Sequence, residues 1–331
     1  MSQPDVAVII VTYKCASLTI ESLKSLVPER SRPGVRIRAI VVDNASGDYP
    51  EIEAAIAANG WSSWVTLLLA PRNGGFAYGN NFGAAYAYAE AAPTYVYLLN
   101  PDAQIRSGAI VALVDFLERN PNAAIAGSKI ENQDGSDWAI AFRFPTAVSE
   151  MLGGLEISIL NRCLSNWMVA RRMKPQQQRV DWICGASMLI RGNVFSSLGG
   201  MDENYFLYYE ETDFCYRAKK AGFATWYVPE SRVMHIMGQS TTVTDPSNGP
   251  KRLPAYWFDS RRRFFAMTYG INHAIAIDIV ALLACMVGLV KRAMRRRLAL
   301  TTPHFIRDLL QHSIVWPRNR KLAEVRCGCG R

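Results

Sequence analysis

Four apolar runs of β-branched, aromatic and leucine residues recur along the first hundred residues, and a polar residue follows each run. Runs of this composition and length are typical of strands buried on both faces of a sheet. Segments of helical length separate them, and this alternation predicts an α/β fold around a mostly parallel central sheet. The runs and their polar residues are 6–11 with Thr12, 37–42 with Asp43, 64–69 with Asn73, and 95–99 with Asp102.

The polar residues at these strand ends predict a ligand site. In parallel sheets ligands collect beyond the carboxyl ends of the strands, so these four side chains are expected to meet in one crevice. Each of them alone is more often a turn residue or a helix cap. Their occurrence at four successive strand ends favours a shared site.

Beyond residue 123 the pattern changes to shorter runs separated by polar turns, with strands expected at 180–190 and 223–228. This change predicts a mixed α+β region that completes the same site. We therefore expect one main domain over residues 1–245 and a helical C-terminal region over residues 246–331.

A glycine-rich turn opens one of the predicted helices, where residues 73–81 have the sequence NGGFAYGNN. Free backbone amides at a helix N-terminus suit a diphosphate. The segment matches neither the P-loop nor the dinucleotide fingerprint, which disfavours a NAD-dependent enzyme. The helix is expected to bury one apolar face, formed by Tyr78, Phe82, Ala85, Tyr86 and Ala89.

Asp102 follows a buried run through Asn100 and a proline, and this position suits a hard cation. Mg²⁺ or Mn²⁺ takes oxygen ligands, and one or two protein groups suffice when phosphate and water supply the rest. The alternative is that Asp102 caps a helix starting near Ser107. His235 follows the predicted strand 223–228 and is a second candidate ligand, with a purely structural histidine as the alternative.

An acidic cluster, Glu210, Glu211 and Asp213, follows the aromatic run 205–209. Carboxylates beside aromatic walls perturb one another's pKa values, which is typical of functional sites. At helical spacing Glu210, Asp213 and Arg217 share a face, so ordinary ion pairing is the alternative. Glu211 is directed elsewhere and is the expected free carboxylate.

The net charge of +9 is concentrated in the last quarter of the chain. There, residues 274–290 are mostly apolar, interrupted by Asp278 and followed by basic residues. A bilayer core of about 30 Å needs about 20 apolar residues. The segment therefore predicts a peripheral helix on an anionic membrane, with a helix packed on the main domain as the alternative. The basic residues are Arg261, Arg262, Arg263, Lys291, Arg292, Arg295, Arg296, Arg297, Arg307, Arg318, Arg320 and Lys321.

A nucleic-acid partner is not expected, because the apolar segment lacks the aromatic residues that stack on bases. Seven cysteines without a regular spacing argue against a disulfide-stapled secreted protein. Together these features predict a cytoplasmic protein that is peripheral on the cytoplasmic face of the inner membrane.

Seven segments resemble the family-2 inverting glycosyltransferases, and the nearest subgroup is the bacterial rhamnosyltransferases. The resemblance extends from about residue 5 to residue 245 and keeps the order and spacing of the motifs. It implies a GT-A fold and the transfer of one sugar from a nucleotide-sugar donor to a hydroxyl. The segments are VTYK (11–14), VVDNAS (41–46), NGGFAYGNN (73–81), LLNPD (98–102), DWICGASMLIR (181–191), GGMDENYFLYYEETDFCYR (199–217) and VPESRVMH (228–235).

The resemblance also implies roles at the positions that match its motifs. Mg²⁺ or Mn²⁺ is implied at Asp102 and His235. Glu211 is implied as the general base that deprotonates the acceptor, with Asp213 as the alternative. The implied donor contacts are Thr12, Tyr13, Asp43, Asn73, Gly74 and Asn100, and the implied acceptor contacts are Trp182, Gly185, Ala186 and Glu210.

Two positions depart from the family pattern, since residues 100–102 are NPD where DxD is usual and residues 210–211 are EE where ED is usual. The subgroup implies dTDP-L-rhamnose as the donor and a lipid-linked or polysaccharide acceptor. A UDP-hexose or UDP-galactofuranose donor is the alternative, since donors change readily on one scaffold. A catalytically silent nucleotide-sugar-binding protein is a further alternative, but it would have no reason to combine Asp102, His235 and Glu211.

Overall fold

The computed structural model describes residues 3–132, 135–138, 141–171, 173–236, 251–295 and 302–324. The strands are β1 Asp5–Thr12, β2 Arg36–Asp43, β3 Val65–Leu69, β4 Tyr95–Leu99, β5 Ala103–Ile105, β6 Ala123–Glu131, β7 Asp137–Trp138, β8 Ala141–Phe142, β9 Gln178–Val180, β10 Trp182–Ile183, β11 Ser187–Arg191 and β12 Ala224–His235. The helices are α1 Ala16–Arg30, α2 Tyr49–Ala58, α3 Gly75–Glu90, α4 Ala109–Arg119, α5 Ala147–Leu155, α6 Ser158–Cys163, α7 Gly192–Ser197, α8 Glu210–Lys220, α9 Ala255–Tyr269, α10 Ile271–Met294, α11 Phe305–His312 and α12 Pro317–Glu324.

The central sheet has the strand order β3-β2-β1-β4-β11-β6-β12-β5. Strands β3, β2, β1 and β4 are parallel, β11 runs antiparallel to β4 and β6, and β12 is parallel to β6. Every residue of β1 and β4 is buried, as expected for strands covered on both faces. The predicted α/β fold with a mostly parallel central sheet is confirmed.

Two strand boundaries differ from the sequence prediction. The predicted strand 180–190 is three strands, because β9 pairs with β12, β10 with β8, and β11 with β4 and β6. The predicted strand 223–228 continues through β12 to His235, and its register shifts between Val228 and Arg232. Pro229 lies in that shift, where a residue without an amide proton costs no ladder hydrogen bond.

Helix α3 buries only part of the face predicted for it, since Tyr78, Phe82 and Tyr86 are half-buried against a core cluster that includes Ile40 and Val42 of β2. Ala85 and Ala89 are exposed, and the face on the sheet is made of small residues, among them Gly79 and Gly83. A Cβ on Gly79 would lie 2.6 Å from a methyl carbon of Val11. The helix therefore packs too close to β1 for the predicted aromatic face to fit between them, and Tyr78 and Phe82 stack on each other at its edge.

The C-terminal helices pack on the main domain rather than apart from it. Helix α10 packs along α5, which lies within the first 245 residues, and α9 contacts α8. Arg261 is buried and forms ion pairs with Glu150 of α5 and Asp278 of α10. The predicted basic surface is therefore smaller than expected, because Arg262 and Arg263 are buried as well. Arg296 and Arg297 of that prediction lie outside the described residues.

Among the described residues, α10 is the one helix long and apolar enough to cross a membrane, with a mean hydropathy of 2.3. A third of the most apolar part is buried inside the protein. Asp278 does not interrupt an exposed apolar surface, since its carboxylate is buried and accepts hydrogen bonds from Ser313 and the amide of Ile314.

Candidate functional site

The ends of β1 and β2 lie side by side, with Thr12 opposite Asp43. Both side chains are buried and hold the loop after β2. The Asp43 carboxylate accepts hydrogen bonds from the amide and hydroxyl of Ser46, at 2.8 and 2.6 Å, and from the amide of Tyr49 at 3.1 Å. The Thr12 hydroxyl donates to Asp48 over 2.8 Å. Thr12 and Asp43 were predicted to contact the nucleotide-sugar donor. In the structure their side chains instead hold the loop that borders the crevice.

A pair of asparagines fixes the N-terminus of α3. Asn44 donates to the side-chain oxygen of Asn73 over 3.0 Å and to the carbonyl of Gly75 over 3.1 Å, and the amide of Gly74 donates to Asn44 over 3.4 Å. Asn73 and Gly74 are thus brought next to the β1 and β2 ends, as predicted. Neither Asn44 nor Asp48 was singled out in the sequence, because only the fold shows which loop residues turn inward.

Tyr13 follows β1 at the same end of the sheet. Its ring is half-buried, and the ammonium group of Lys14 lies 5.4 Å from its centre. Among the described residues, the Tyr13 side chain forms no hydrogen bond with the loop after β2, unlike the side chains of Thr12 and Asp43.

Gly75 joins the glycine-rich turn to the loop before α8. Its φ is +87°, and a Cβ there would lie 1.8 Å from the carbonyl oxygen of Phe206. The amide of Phe76 donates to that same carbonyl over 2.9 Å. A side chain at position 75 is therefore excluded both by the left-handed backbone and by this close approach.

Asp102 and His235 meet at the end of β12. Strand β5 pairs with β12 so that His235 lies opposite Ala103, and the His235 Nε2 is 3.0 Å from the Asp102 carboxylate and 3.2 Å from the Asn100 amide. Both residues are buried, with exposures of 6% for Asp102 and 8% for His235. The predicted convergence of these residues is therefore present.

The predicted alternative for Asp102, a helix cap, does not match the structure. The amides of Gly108 and Ile110 at the start of α4 donate to the buried carboxylate of Glu29 instead. Asp102 lies in the turn before β5 and is left to pair with His235.

The donor set at this point fits a cation that is completed by phosphate and water. Asp102 and His235 offer one carboxylate and one imidazole, and no described residue forms a hydrogen bond with the buried His235 Nδ1. The described part of the chain has no group of three or more His, Cys, Asp or Glu side chains that could hold a metal. Two protein ligands are typical of Mg²⁺ bound together with substrate phosphates.

The predicted acceptor contacts Gly185 and Ala186 connect to this point through the backbone segment between β10 and β11. The amide of Asn100 donates to the carbonyl of Ala186 over 3.2 Å, and the amide of Gly185 donates to the Glu211 carboxylate over 3.3 Å. A Cβ on Gly185 would lie 2.8 Å from the ring of Phe76. Glu211 thus lies across one short segment of chain from the Asp102–His235 pair.

Trp182 is half-buried and is held in place by its neighbours. Its ring stacks on Phe142 with 4.3 Å between centres, and its indole nitrogen donates to the carbonyl of Arg143 over 2.9 Å. It supports the segment that ends at Gly185.

Glu210 and Glu211 form a pair of adjacent carboxylates at the start of α8. Burial raises the pKa of Glu210 well above its usual range, and the neighbouring Glu211 raises it further. Burial also raises the pKa of Glu211, partly offset by backbone hydrogen bonds, including the one from Gly185. A carboxylate with a raised pKa is a better proton acceptor near neutral pH.

Two strained residues precede this pair. Tyr208 and Tyr209 both have φ of 70°, in the left-handed region that bulky residues rarely adopt. Backbone strain of this kind clusters at active sites. It orients the start of α8, where Tyr209 is the N-cap.

Asp213 lies on another face of α8. Its carboxylate is 2.7 Å from Arg217, which is the ion pair that the spacing indicated. It lines a cavity of about 750 Å³ between α3, α7 and the loop after α7, while Glu211 bonds to Gly185. Burial raises the pKa of Asp213, and Arg217 opposes this rise.

Comparison with known proteins agrees with this geometry. The sequence model of "Glycosyl transferase family 2" matches residues 7–180. An N-acetylglucosaminyl-diphospho-decaprenol L-rhamnosyltransferase of Mycobacterium tuberculosis is 30% identical over 247 residues, covering 71% of this chain and 76% of the relative. A rhamnosyltransferase of Escherichia coli is 29% identical over 170 residues, covering 49% of this chain and 60% of the relative.

Two solved structures show the same fold at low sequence identity. GalNAc-T7 with UDP, GalNAc and Mn²⁺ has a TM-score of 0.57 at 14% identity, covering 93% of this chain and 57% of that one. A mannosyltransferase from Pyrobaculum calidifontis in complex with GDP-Man and Mn²⁺ has a TM-score of 0.56 at 15% identity, covering 96% and 89%. The chain therefore belongs to glycosyl transferase family 2 and is a glycosyltransferase with a GT-A-like fold.

Proposed function

We propose that this enzyme transfers L-rhamnose from dTDP-L-rhamnose to a hydroxyl of a lipid-linked acceptor, with inversion at the anomeric carbon. The observation that carries the proposal is the position of Glu211, which is across the Gly185–Ala186 segment from Asp102 and His235. One carboxylate on the acceptor side and one cation site beside the departing diphosphate on the donor side suit a direct displacement.

In this mechanism Glu211 takes the proton from the acceptor hydroxyl. The oxygen attacks the anomeric carbon, the bond to the diphosphate breaks, and its electron pair leaves with the diphosphate. Inversion follows because attack and departure occur on opposite faces of the sugar. The raised pKa of Glu211, caused by burial, supports its role as the proton acceptor.

Asp102 and His235 would hold a Mg²⁺ or Mn²⁺ ion, which would neutralise the charge of the departing diphosphate. Support comes from their 3.0 Å separation and from the Mn²⁺ named in both structural neighbours. The amides at the start of α3 would contribute to the same end through the positive helix terminus near Gly74.

The donor and acceptor classes are supported by relatives rather than by geometry. Relatives from Mycobacterium, Escherichia and Shigella are named as rhamnosyltransferases, the last as a dTDP-rhamnosyl transferase. The mycobacterial relative is named for a diphospho-decaprenol acceptor. By this likeness we propose the same donor and a sugar carried on a prenyl diphosphate. Tyr13 is proposed to contact the nucleoside.

A peripheral contact with an anionic membrane belongs to the same proposal, on the cytoplasmic face of the inner membrane. It is supported by an apolar row on the outer side of α10, called the α10 stripe. Its side chains are at least 45% exposed and recur at helical spacing. The row is Ile279, Leu283, Met286, Val287, Val290 and Met294.

The assignment of the base is tested by Glu211→Gln, which we expect to lower the transfer rate about 10²- to 10⁴-fold with donor affinity almost unchanged. Asp213→Asn is the matched variant, because Asp213 is on the same helix but is paired with Arg217. It should retain most of the transfer rate. Near-normal transfer by Glu211→Gln would reject the assignment, and collapse of Asp213→Asn alone would move the role to Asp213.

The donor is tested by thermal unfolding with dTDP-rhamnose, UDP-hexoses and UDP-galactofuranose, each with Mn²⁺. A ligand at a hundred times its dissociation constant stabilises a protein by about 2.7 kcal/mol. We expect the largest shift with dTDP-rhamnose. A larger shift with a UDP-sugar would replace the proposed donor, and no shift with any of them would contradict nucleotide-sugar binding.

A further inference from the structure

A cavity lined mainly by cationic side chains lies at the opposite end of α8 from Glu211. Its volume is about 310 Å³, and its charged lining is Arg143, Arg171, Arg179, Lys219 and Asp181. Lys219 comes eight residues after Glu211 on α8, which is about 12 Å along the helix axis at 1.5 Å per residue. The cavity is therefore separate from the transfer site.

The single carboxylate of this cavity is already in use. Asp181 accepts from Lys219 over 2.9 Å and from the backbone amide of Phe144 over 3.2 Å. The guanidinium of Arg171 donates one hydrogen bond to the carbonyl of Arg179 over 2.9 Å. The side chains of Arg143 and Arg179 have no hydrogen-bond or ion-pair partner in the described ranges of the chain.

Four cations around one carboxylate leave a formal excess of three positive charges in a confined space. Cations brought together near a protein surface repel one another, and partial removal from water makes the repulsion stronger. The pKa of Arg171 reflects this, since it is lowered by burial and then by the charge of Arg143. An anion in the cavity would offset the repulsion among the cations and would stabilise the charged form of Arg171.

We propose that this cavity binds a phosphate or diphosphate group. The planar guanidinium of arginine offers paired donors that match phosphate oxygens, and here Arg143, Arg171 and Arg179 come from three separate segments around one space. A volume of this size admits a diphosphate with several waters. The phosphate group can belong to a membrane lipid or to a free molecule, and both present the same chemistry to the cavity.

The proposal does not depend on the sugar donor or on the base. Arg143 and Arg179 can be replaced without breaking any side-chain hydrogen bond or ion pair among the described residues, so the double variant Arg143→Gln/Arg179→Gln should fold normally. The matched control is Arg119→Gln, an exposed arginine at the end of α4 for which the described residues provide no partner.

Titration calorimetry with inorganic phosphate and with pyrophosphate, in buffer containing EDTA at low ionic strength, measures the free-anion source. Sedimentation with phosphatidylcholine vesicles, with and without phosphatidylglycerol, measures the lipid source. We expect wild type and Arg119→Gln to bind pyrophosphate and the double variant to bind it about tenfold more weakly, because charge-assisted donors are lost. The same deficit confined to phosphatidylglycerol vesicles would support the cavity as a lipid site. The proposal is overturned if the double variant matches wild type with every probe, or if wild type binds none of them.

Discussion

Glu210 keeps its carboxylate in surroundings that oppose the charged form. It is 2% exposed, one of its oxygens has no hydrogen-bond partner within the described ranges, and Glu211 is its neighbour. Because the folded state raises its pKa, the contribution of Glu210 to stability is fully present below the ordinary glutamate range and is lost as the pH rises through the raised value. The folded state therefore disfavours the ionised form of Glu210, and this lowers stability at neutral pH relative to acidic pH.

Glu210→Gln should therefore raise the free energy of unfolding at about pH 8, by about 1–3 kcal/mol, the usual cost of a buried unsatisfied group. The gain should disappear near pH 4, where glutamate is protonated in both states. Urea unfolding at the two pH values measures it, with the exposed Glu53→Gln of α2 as the control. A Glu210→Gln protein that is less stable at pH 8 would show that the carboxylate is compensated.

Asp102 is tested by the dependence of donor binding on metal. Asp102→Asn keeps the size of the side chain but removes the charge, so we expect it to lose the additional thermal shift that Mn²⁺ gives with dTDP-rhamnose. Transfer should be nearly absent. Full transfer by wild type in excess EDTA would contradict the proposed metal.

At the scale of single residues, the sequence predicted which side chains would pair better than it predicted which side chains would be buried. Helical spacing indicated the Asp213–Arg217 ion pair, and strand ends indicated that Asp102 and His235 would meet. It did not predict that Thr12 and Asp43 would be fully buried. Their partners include Asp48, whose inward direction depends on how a loop folds back, and no local pattern encodes that.

Two adjacent glycines of α5 differ in how closely they approach α10. A Cβ on Gly153 would meet nothing within 4 Å, whereas a Cβ on Gly154 would lie 2.8 Å from the Ala284 side chain and from the backbone of Cys285. Gly153→Ala should therefore stabilise the protein by about 0.5–1 kcal/mol, the helix preference of alanine over glycine.

Gly154→Ala gains the same preference but must push α5 away from α10, so we expect a net destabilisation of about 1–3 kcal/mol. Chemical unfolding of the two variants beside wild type measures the difference. If both substitutions stabilise equally, α10 does not pack on α5 as described.

The elements that sequence reasoning placed best are those whose burial is uniform. Strands β1 and β4 are buried along their whole length and were recognised from composition alone. Helix α3 was predicted, but its face on the sheet was not, because glycine and alanine give a weak apolar signal. The sequence pattern therefore does not indicate close packing where the contact residues are the smallest.

At the scale of the whole molecule, the division at residue 245 understates how closely the two parts are joined. Arg261 of α9 connects Glu150 and Asp278, and Lys291 of α10 donates to the last carbonyls of α5. The basic residues of the last quarter were expected at the surface. A buried arginine that pairs with carboxylates adds the same charge to the sequence as an exposed one, so composition does not distinguish them. Only the three-dimensional arrangement separates these cases.

Because α5 packs on the inner side of α10, the proposed membrane contact involves its outer side. The α10 stripe is apolar over four turns, and single exposed apolar residues are common on proteins but a continuous row is not. Of the predicted basic flank, Lys291 and Arg292 are engaged with α5 and Glu156, while Arg295 is exposed. The apolar row must therefore supply more of the binding free energy than the charges do.

This balance predicts the effect of charges within the row. Leu283→Glu/Val287→Glu changes two side chains that are 55% and 53% exposed, so the fold should persist while sedimentation with anionic vesicles is lost. Leu69→Glu, at 58% exposure on the edge strand β3, is the control and should sediment as wild type does. Raising the salt concentration should weaken wild-type binding only partly, since screening acts on the charges and not on the apolar contact. If the double variant sediments normally, or if salt alone releases wild type completely, the membrane contact is not made by the α10 stripe.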